Sequence, residues 1–84
     1  MTRIAIFASY DKNGIVHDYV LNYLRYLKNI ADKIIFIADN TADKQEQDKL
    51  KPYVDVMTFA PHGEYDFGSY KRGYVIAQAK GWLD

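Results

Sequence analysis

Short apolar runs alternate along this chain with longer stretches whose apolar residues recur every three or four positions, a pattern that predicts strands separated by helices. Arg3 to Ser9 (RIAIFAS) is continuously apolar through Ile4, Ile6 and Phe7, as a strand buried on both faces of a parallel sheet requires. Val16, Val20, Tyr23, Leu24, Leu27 and Ile30 then follow at helical spacing and predict one stripe on a helix from about Ile15 to Ile30. Ala31-Asp32 closes it. Lys33 to Ala38 (KIIFIA) has the β-branched and aromatic bias of a second buried strand. Residues 42–51 are polar almost all round, with Leu50 as the one large apolar anchor, and predict an exposed, weakly held helix stopped by Pro52. Val54 to Phe59 (VDVMTF) alternates and predicts a third, outer strand. Phe67 to Leu83 reads as a last helix, with Tyr70, Tyr74, Val75, Ala79, Trp82 and Leu83 available for packing.

The order β-α-β-α-β-α predicts an α/β fold: a three-layer, Rossmann-like half-fold on a short parallel sheet of order 3-2-1. It forms one domain over residues 1–84, read as the N-terminal part of a larger one. Crossovers between parallel strands are almost always right-handed, and ligands of such sheets bind beyond the strands' C-terminal ends. Those ends are Tyr10-Asp11, Asp39-Asn40 and the loop from Pro61 to Asp66. That loop opens the stretch His62 to Tyr74 (HGEYDFGSYKRGY), dense in glycine, tyrosine and charge. A glycine inside a helix costs about 1 kcal/mol relative to alanine, so Gly68 and Gly73 argue for a constraint. For Gly73 the constraint is close packing on the sheet or on a neighbour.

Eleven basic and eleven acidic residues cancel, which argues against a general nucleic-acid or membrane-surface binder. No apolar run approaches the ~18 residues of a membrane span, and neither a secretory leader nor a cysteine framework is visible, so a cytoplasmic location is expected. A chain of this size buries only about 60–65% of the surface its unfolded form exposes. In a 3-2-1 order the apolar first strand lies at an open edge, which native sheets rarely leave bare. A homodimer is therefore expected, its first strands paired across a two-fold axis into a six-stranded sheet.

Among residues that carry chemistry, Asp39 at the end of the second strand could accept hydrogen bonds from a ribose or base edge, or could serve as a turn residue capping the next helix. Gly68 would let the backbone approach a phosphate at a helix N-terminus. Lys71 and Arg72 are either simply solvated or balanced by a bound anion, with Asp66 as the helix cap. Tyr10, Tyr65 and Tyr70 would cluster at the crevice. His17 and His62 have no ligand partners at metal spacing, and no GxGxxG, Walker loop, Ser-His-Asp or Cys-His arrangement occurs.

Two stretches carry a resemblance. IAIFASYDKNGIVHDYVLNYLRYLKNIADKIIFIADN resembles the opening strand, helix and strand of the rhamnan synthesis protein F family, glycosyltransferase-like proteins of bacterial polysaccharide assembly. EYDFGSYKRGY resembles that family's YDFG-x-[YW]-K-x-G signature. The family is similar to GT-A glycosyltransferases, whose first half holds the nucleotide of a sugar nucleotide. The resemblance implies that Tyr10 and Asp39 flank a nucleotide pocket to which Asp66, Gly68 and Lys71 contribute. It implies a nucleoside diphosphate sugar, such as dTDP-rhamnose, as ligand. His62 and Glu64 stand where the family more often has Asn and Gly, and no DxD occurs. A divalent metal and the acceptor half therefore belong to a complete enzyme; this segment supplies no catalytic residue or metal ligand and is expected to be inactive alone. The alternative is a non-enzymatic, dimeric α/β interaction module.

Overall fold

The computed structural model describes residues 3–61, 63 and 65–83, and of 65–67 the backbone alone. Among these, the chain forms β1 (Ile4–Ser9), α1 (Asp18–Leu27), β2 (Lys33–Ala38), α2 (Lys44–Asp48), β3 (Val56–Phe59) and α3 (Tyr65–Ala79). The strands make one parallel sheet in the order β1-β2-β3, the same neighbours as the expected 3-2-1 order counted from the other edge. β1 pairs with β2 from Ile4 opposite Lys33 to Ser9 opposite Ala38, and β2 pairs with β3 from Ile35 opposite Val56 to Ala38 opposite Phe59.

β2 is the buried centre, with Ile34 through Ala38 all at 2% exposure or less. Its continuous apolar sequence follows from having helices on both faces, each large side chain contributing about 1.5–3 kcal/mol by burial. On one face Val16, Val20, Leu24 and Leu50 pack against Ile34, Phe36 and Ala38. A row of rings crosses the strands there: Phe36 stacks on Phe7 at 5.3 Å between centroids and tilts against Phe59 at 5.6 Å. On the other face Ile35 and Ile37 pack with Ala77, joined by Ile4, Ile6, Val56, Ile76 and Trp82. α3 follows β3 in the chain yet lies over β1 and β2.

The seat of α3 is built from small residues, Ser69, Gly73 and Ala77, all buried. A Cβ at Gly73 would come within 2.6 Å of Ile6 Cγ2. This is the close helix-to-sheet approach expected of Gly73. It also corrects the expected packing face: Tyr70 and Tyr74 are about half exposed and Val75 is 54% exposed. Small residues won the interior because they bring the helix axis nearer the strands, leaving the bulky residues on its flanks.

Element ends differ from the sequence expectation for local reasons. α1 is shorter because residues 14–17 form its approach and 28–30 a turn. β3 starts at Val56 because Asp55 uses its carboxylate to accept the Ile34 N–H at 2.8 Å. α2 is only five residues long, held by the fully buried Leu50 just beyond it. α3 stops at Ala79 rather than Leu83: Gly81, at φ +73°, lets its own N–H reach the Gln78 carbonyl and the Trp82 N–H reach that of Ala77, a Schellman close. Trp82 folds back beside Ile4, with the Lys33 ammonium 5.3 Å from its ring. No helix among the described residues is long and apolar enough to cross a membrane.

Candidate functional site at the C-terminal ends of the strands

The parallel sheet brings the ends of β1, β2 and β3 to one edge, and side chains of the connecting loops tie those ends together. Asp39 N–H donates to the Ser9 carbonyl at 2.9 Å, so Tyr10 and Asp39 leave adjacent strands side by side. Asn40 Oδ1 accepts the Asp11 N–H at 3.1 Å, and Asp39 Oδ1 accepts the Gly63 N–H at 3.0 Å. The β1–α1, β2–α2 and β3–α3 loops are thereby cross-linked, the last at Gly63, shortly before α3.

Asp11 organises the first loop. Its Oδ1 accepts the N–H groups of Asn13 at 2.9 Å and Ile15 at 3.1 Å, and its Oδ2 lies 2.8 Å from His17 Nε2. The turn runs back on itself through Gly14 N–H to the Asp11 carbonyl. Gly14 has φ +69°, and a Cβ there would stand 2.5 Å from the Thr41 carbonyl oxygen, so the first two loops touch backbone to backbone. Glu46 of α2 adds a second tie: its Oε1 accepts the Val16 N–H and the Lys49 ammonium, both at 2.9 Å.

These bonds hold both acids in their charged forms. The Ile15 amide, then the His17 side chain, lower the Asp11 pKa, and Lys49, then the Val16 amide, lower that of Glu46. A carboxyl with a depressed folded pKa binds fewer protons folded than unfolded. Its contribution is full above the ordinary carboxylate range and is lost as pH falls through the lowered value. Melting temperatures followed from neutral pH to about pH 3 should therefore fall more steeply for the native chain than for Asp11→Asn, which has no such group to protonate. Parallel curves would remove Asp11 from the account.

The remaining candidates divide. Tyr10 is 69% exposed at the end of β1. Gly68, the fourth residue of α3, is buried, and its carbonyl accepts Arg72 Nη1 at 3.2 Å. Lys71 is exposed and lines a groove of about 400 Å³ with Thr58, Arg72, Val75 and Ile76, so its surroundings are β3 and α3 rather than Tyr10 or Asp39. Asp66 lies in the first turn of α3, but its side chain, like that of Tyr65 and like His62 and Glu64, falls outside the described residues. No family model, curated protein or solved structure matches the chain. Among the described residues no group of three or more His, Cys, Asp or Glu is arranged to hold a metal ion.

Asp11 and Asn40, read from the sequence only as strand ends, and Glu46, not singled out there, are the organising residues. The Asp-x-Asn-Gly spacing of Asp11 to Gly14 signals a turn held by the aspartate's own carboxylate. Nothing comparable marks Asn40 and Glu46, whose partners are 29 and 30 residues distant. Chemically, the edge offers a tethered set of loops, one exposed ring and an aspartate whose carboxylate ties the β3–α3 loop.

Proposed function

We propose that these residues form the nucleotide-sugar-facing, N-terminal part of a glycosyltransferase-like protein of bacterial cell-surface polysaccharide assembly, working in the cytoplasm. The observation that carries this reading is the Asp39–Gly63 hydrogen bond, which joins the end of β2 to the loop entering the Tyr65–Gly73 signature. Helices on both faces of a parallel sheet, with α3 returning over β1, support a Rossmann-like half-fold. In this reading the Tyr10 ring meets the base or ribose, Asp39 accepts a ribose hydroxyl, and Asp66 and Gly68 attend the diphosphate, while Lys71, in the groove beside β3, stands apart from them. The ligand class is a nucleoside diphosphate sugar, with dTDP-rhamnose the first to test. The segment holds the donor and supplies no catalytic base; a divalent metal would belong to the complete enzyme.

Calorimetric titration with thymidine and uridine diphosphates tests it. The expected result is binding with a dissociation constant on the order of 0.1–1 mM, about 5–10-fold weaker in Tyr10→Ala for loss of one stacking contact. A second reading, a non-enzymatic interaction module, is favoured by one observation: Asp11, Asp39 and Glu46 all spend carboxylate oxygens on backbone amides that tether loops. Absence of binding at millimolar diphosphate would favour it over donor binding.

A further inference from the structure

β1 is an edge strand whose free side is flanked by tyrosines. Arg3 and Ser9 turn their carbonyls to β2, accepting from Lys33 and Asp39. By strand alternation the N–H and C=O groups of Ile4, Ile6 and Ala8 point away from the sheet. Along one side of that open row runs α1, with Tyr19, Tyr23 and Tyr26 exposed by 72%, 53% and 60%. Tyr23 touches Phe7 of β1, ring to ring at 5.5 Å, which fixes this flank as the one beside the open edge. Along the other side runs α3, seated on Ile6 through Gly73. Helical geometry puts Tyr70 and Tyr74 on the flank of α3 opposite the groove-lining Arg72 and Ile76, and the groove includes Thr58 of β3, so the two tyrosines flank β1.

Apart from Arg3, which directly precedes β1, charge is sorted away from this edge. Arg25 and Lys28 of α1 reach the other way, to the Tyr53 hydroxyl and the Pro52 carbonyl. Lys71 and Arg72 line the groove beside β3. β1 itself, IAIFAS, has none of the lysines or prolines that guard native edges.

We infer that this edge is the interface for a second copy of the chain, paired β1 to β1 in antiparallel fashion about a two-fold axis perpendicular to the sheet. The inference does not rest on the donor reading; in a longer Rossmann-like sheet a fourth strand would compete with the second copy for this edge. Such an axis keeps like faces together, so opposing residues must share a face. Ile4 and Ile6 face α3, while Ala5 and Phe7 face α1. The register centred on Ile6 satisfies this: Ala5 lies opposite Phe7 of the second copy, and Ile4 opposite Ala8, small against large each time. The outward groups of Ile4, Ile6 and Ala8 are then the ones that exchange hydrogen bonds across the axis. α1 meets α1 through its tyrosines and α3 meets α3, uncharged against uncharged, in an isologous contact. The five flanking tyrosines offer on the order of 500–600 Å² from their exposed fractions, and the edge strand brings the total near the ~800 Å² per partner of a stable interface.

Sedimentation velocity and amide hydrogen exchange on the whole chain, from about 1 to 500 μM, test this through mass action. A dimer of the 9.8 kDa chain is expected, with the amides of Ile4, Ile6 and Ala8 protected at high concentration and released on dilution. Ala8→Pro removes an outward donor while leaving the β2 ladder intact. Tyr26→Lys with Tyr74→Lys charges both flanks without touching the strand. Each should raise the dimer dissociation constant at least ~100-fold, equivalent to ~2.7 kcal/mol, with circular dichroism unchanged for the tyrosine variant. A monomer throughout the range would overturn the inference, as would a dimer that survives the tyrosine variant or exchange at these amides that ignores concentration.

Discussion

Gly14→Ala should destabilise the fold by about 3 kcal/mol or more, a large part of the roughly 4–13 kcal/mol available to a domain of this size. Two costs add. At φ +69° an L side chain loses about 1–2 kcal/mol, and the new Cβ would meet the Thr41 carbonyl oxygen at 2.5 Å. That oxygen belongs to backbone, so the loops must part, at an overpacking cost of about 1–3 kcal/mol. Parting them strains the Asp11 and Asn40 ties that align the strand ends. Gly63→Ala carries the first cost alone: its φ is also +69°, but a Cβ there meets nothing within 4 Å, so only about 1 kcal/mol should be lost. Urea denaturation with an unchanged m-value measures both, and equal losses would show that the loops do not rest on each other.

Gly73→Ala should cost about 1–2 kcal/mol net despite gaining about 1 kcal/mol of helix propensity. A Cβ would lie 2.6 Å from Ile6 Cγ2 and 3.1 Å from both Cγ1 and Cδ1. Because Cγ2 branches directly from the Ile6 Cβ, the side chain cannot simply swing away, and α3 must lift off β1. Truncation of Ile6 supplies the room. In a double-mutant cycle, Gly73→Ala with Ile6→Ala should therefore be less destabilising than the sum of the single variants by about 1 kcal/mol. Strict additivity would mean that α3 does not sit on Ile6.

The elements that were legible in the sequence are those whose apolar pattern answers to burial alone. β2 runs from Lys33 to Ala38 as the KIIFIA run suggests, because a strand covered on both faces has no polar position to confuse its limits. Leu50 anchors the second connection as its isolation among polar residues implied. Where a side chain or a glycine competes with the backbone, the pattern misleads. Asp55 takes a β2 amide with its carboxylate and shortens β3, and Gly81 ends α3 four residues early. On α3 the large residues were expected inside, yet the interior belongs to Ser69, Gly73 and Ala77, since small side chains allow the approach that Gly73 makes to Ile6. The same substitution of roles explains the exposure of Tyr70 and Tyr74.

That the strand ends meet at one edge was legible, from parallel strands ending in Tyr10-Asp11 and Asp39-Asn40. Its wiring was not. A sequence shows that Asp39 is a good turn residue, but not that its carboxylate reaches Gly63 across 24 residues, or that Asn40 holds the Asp11 amide. Nor does spacing reveal that Lys71 lines a groove with Thr58 while Tyr10 stands at the end of β1. Residues 63–74 accordingly have two roles. Gly73 sets the helix on the sheet, and the turn at Gly63 binds the start of that helix to β2.

The most direct test is a titration of the isotopically labelled chain with thymidine diphosphate, followed by amide chemical shifts. Donor binding at the strand ends requires saturable shifts at Tyr10, Asp39, Asn40, Gly63 and Gly68, with the far edge of the sheet around Lys33 and Trp82 unmoved. An unperturbed spectrum at millimolar ligand, or shifts confined to residues away from those ends, would contradict it.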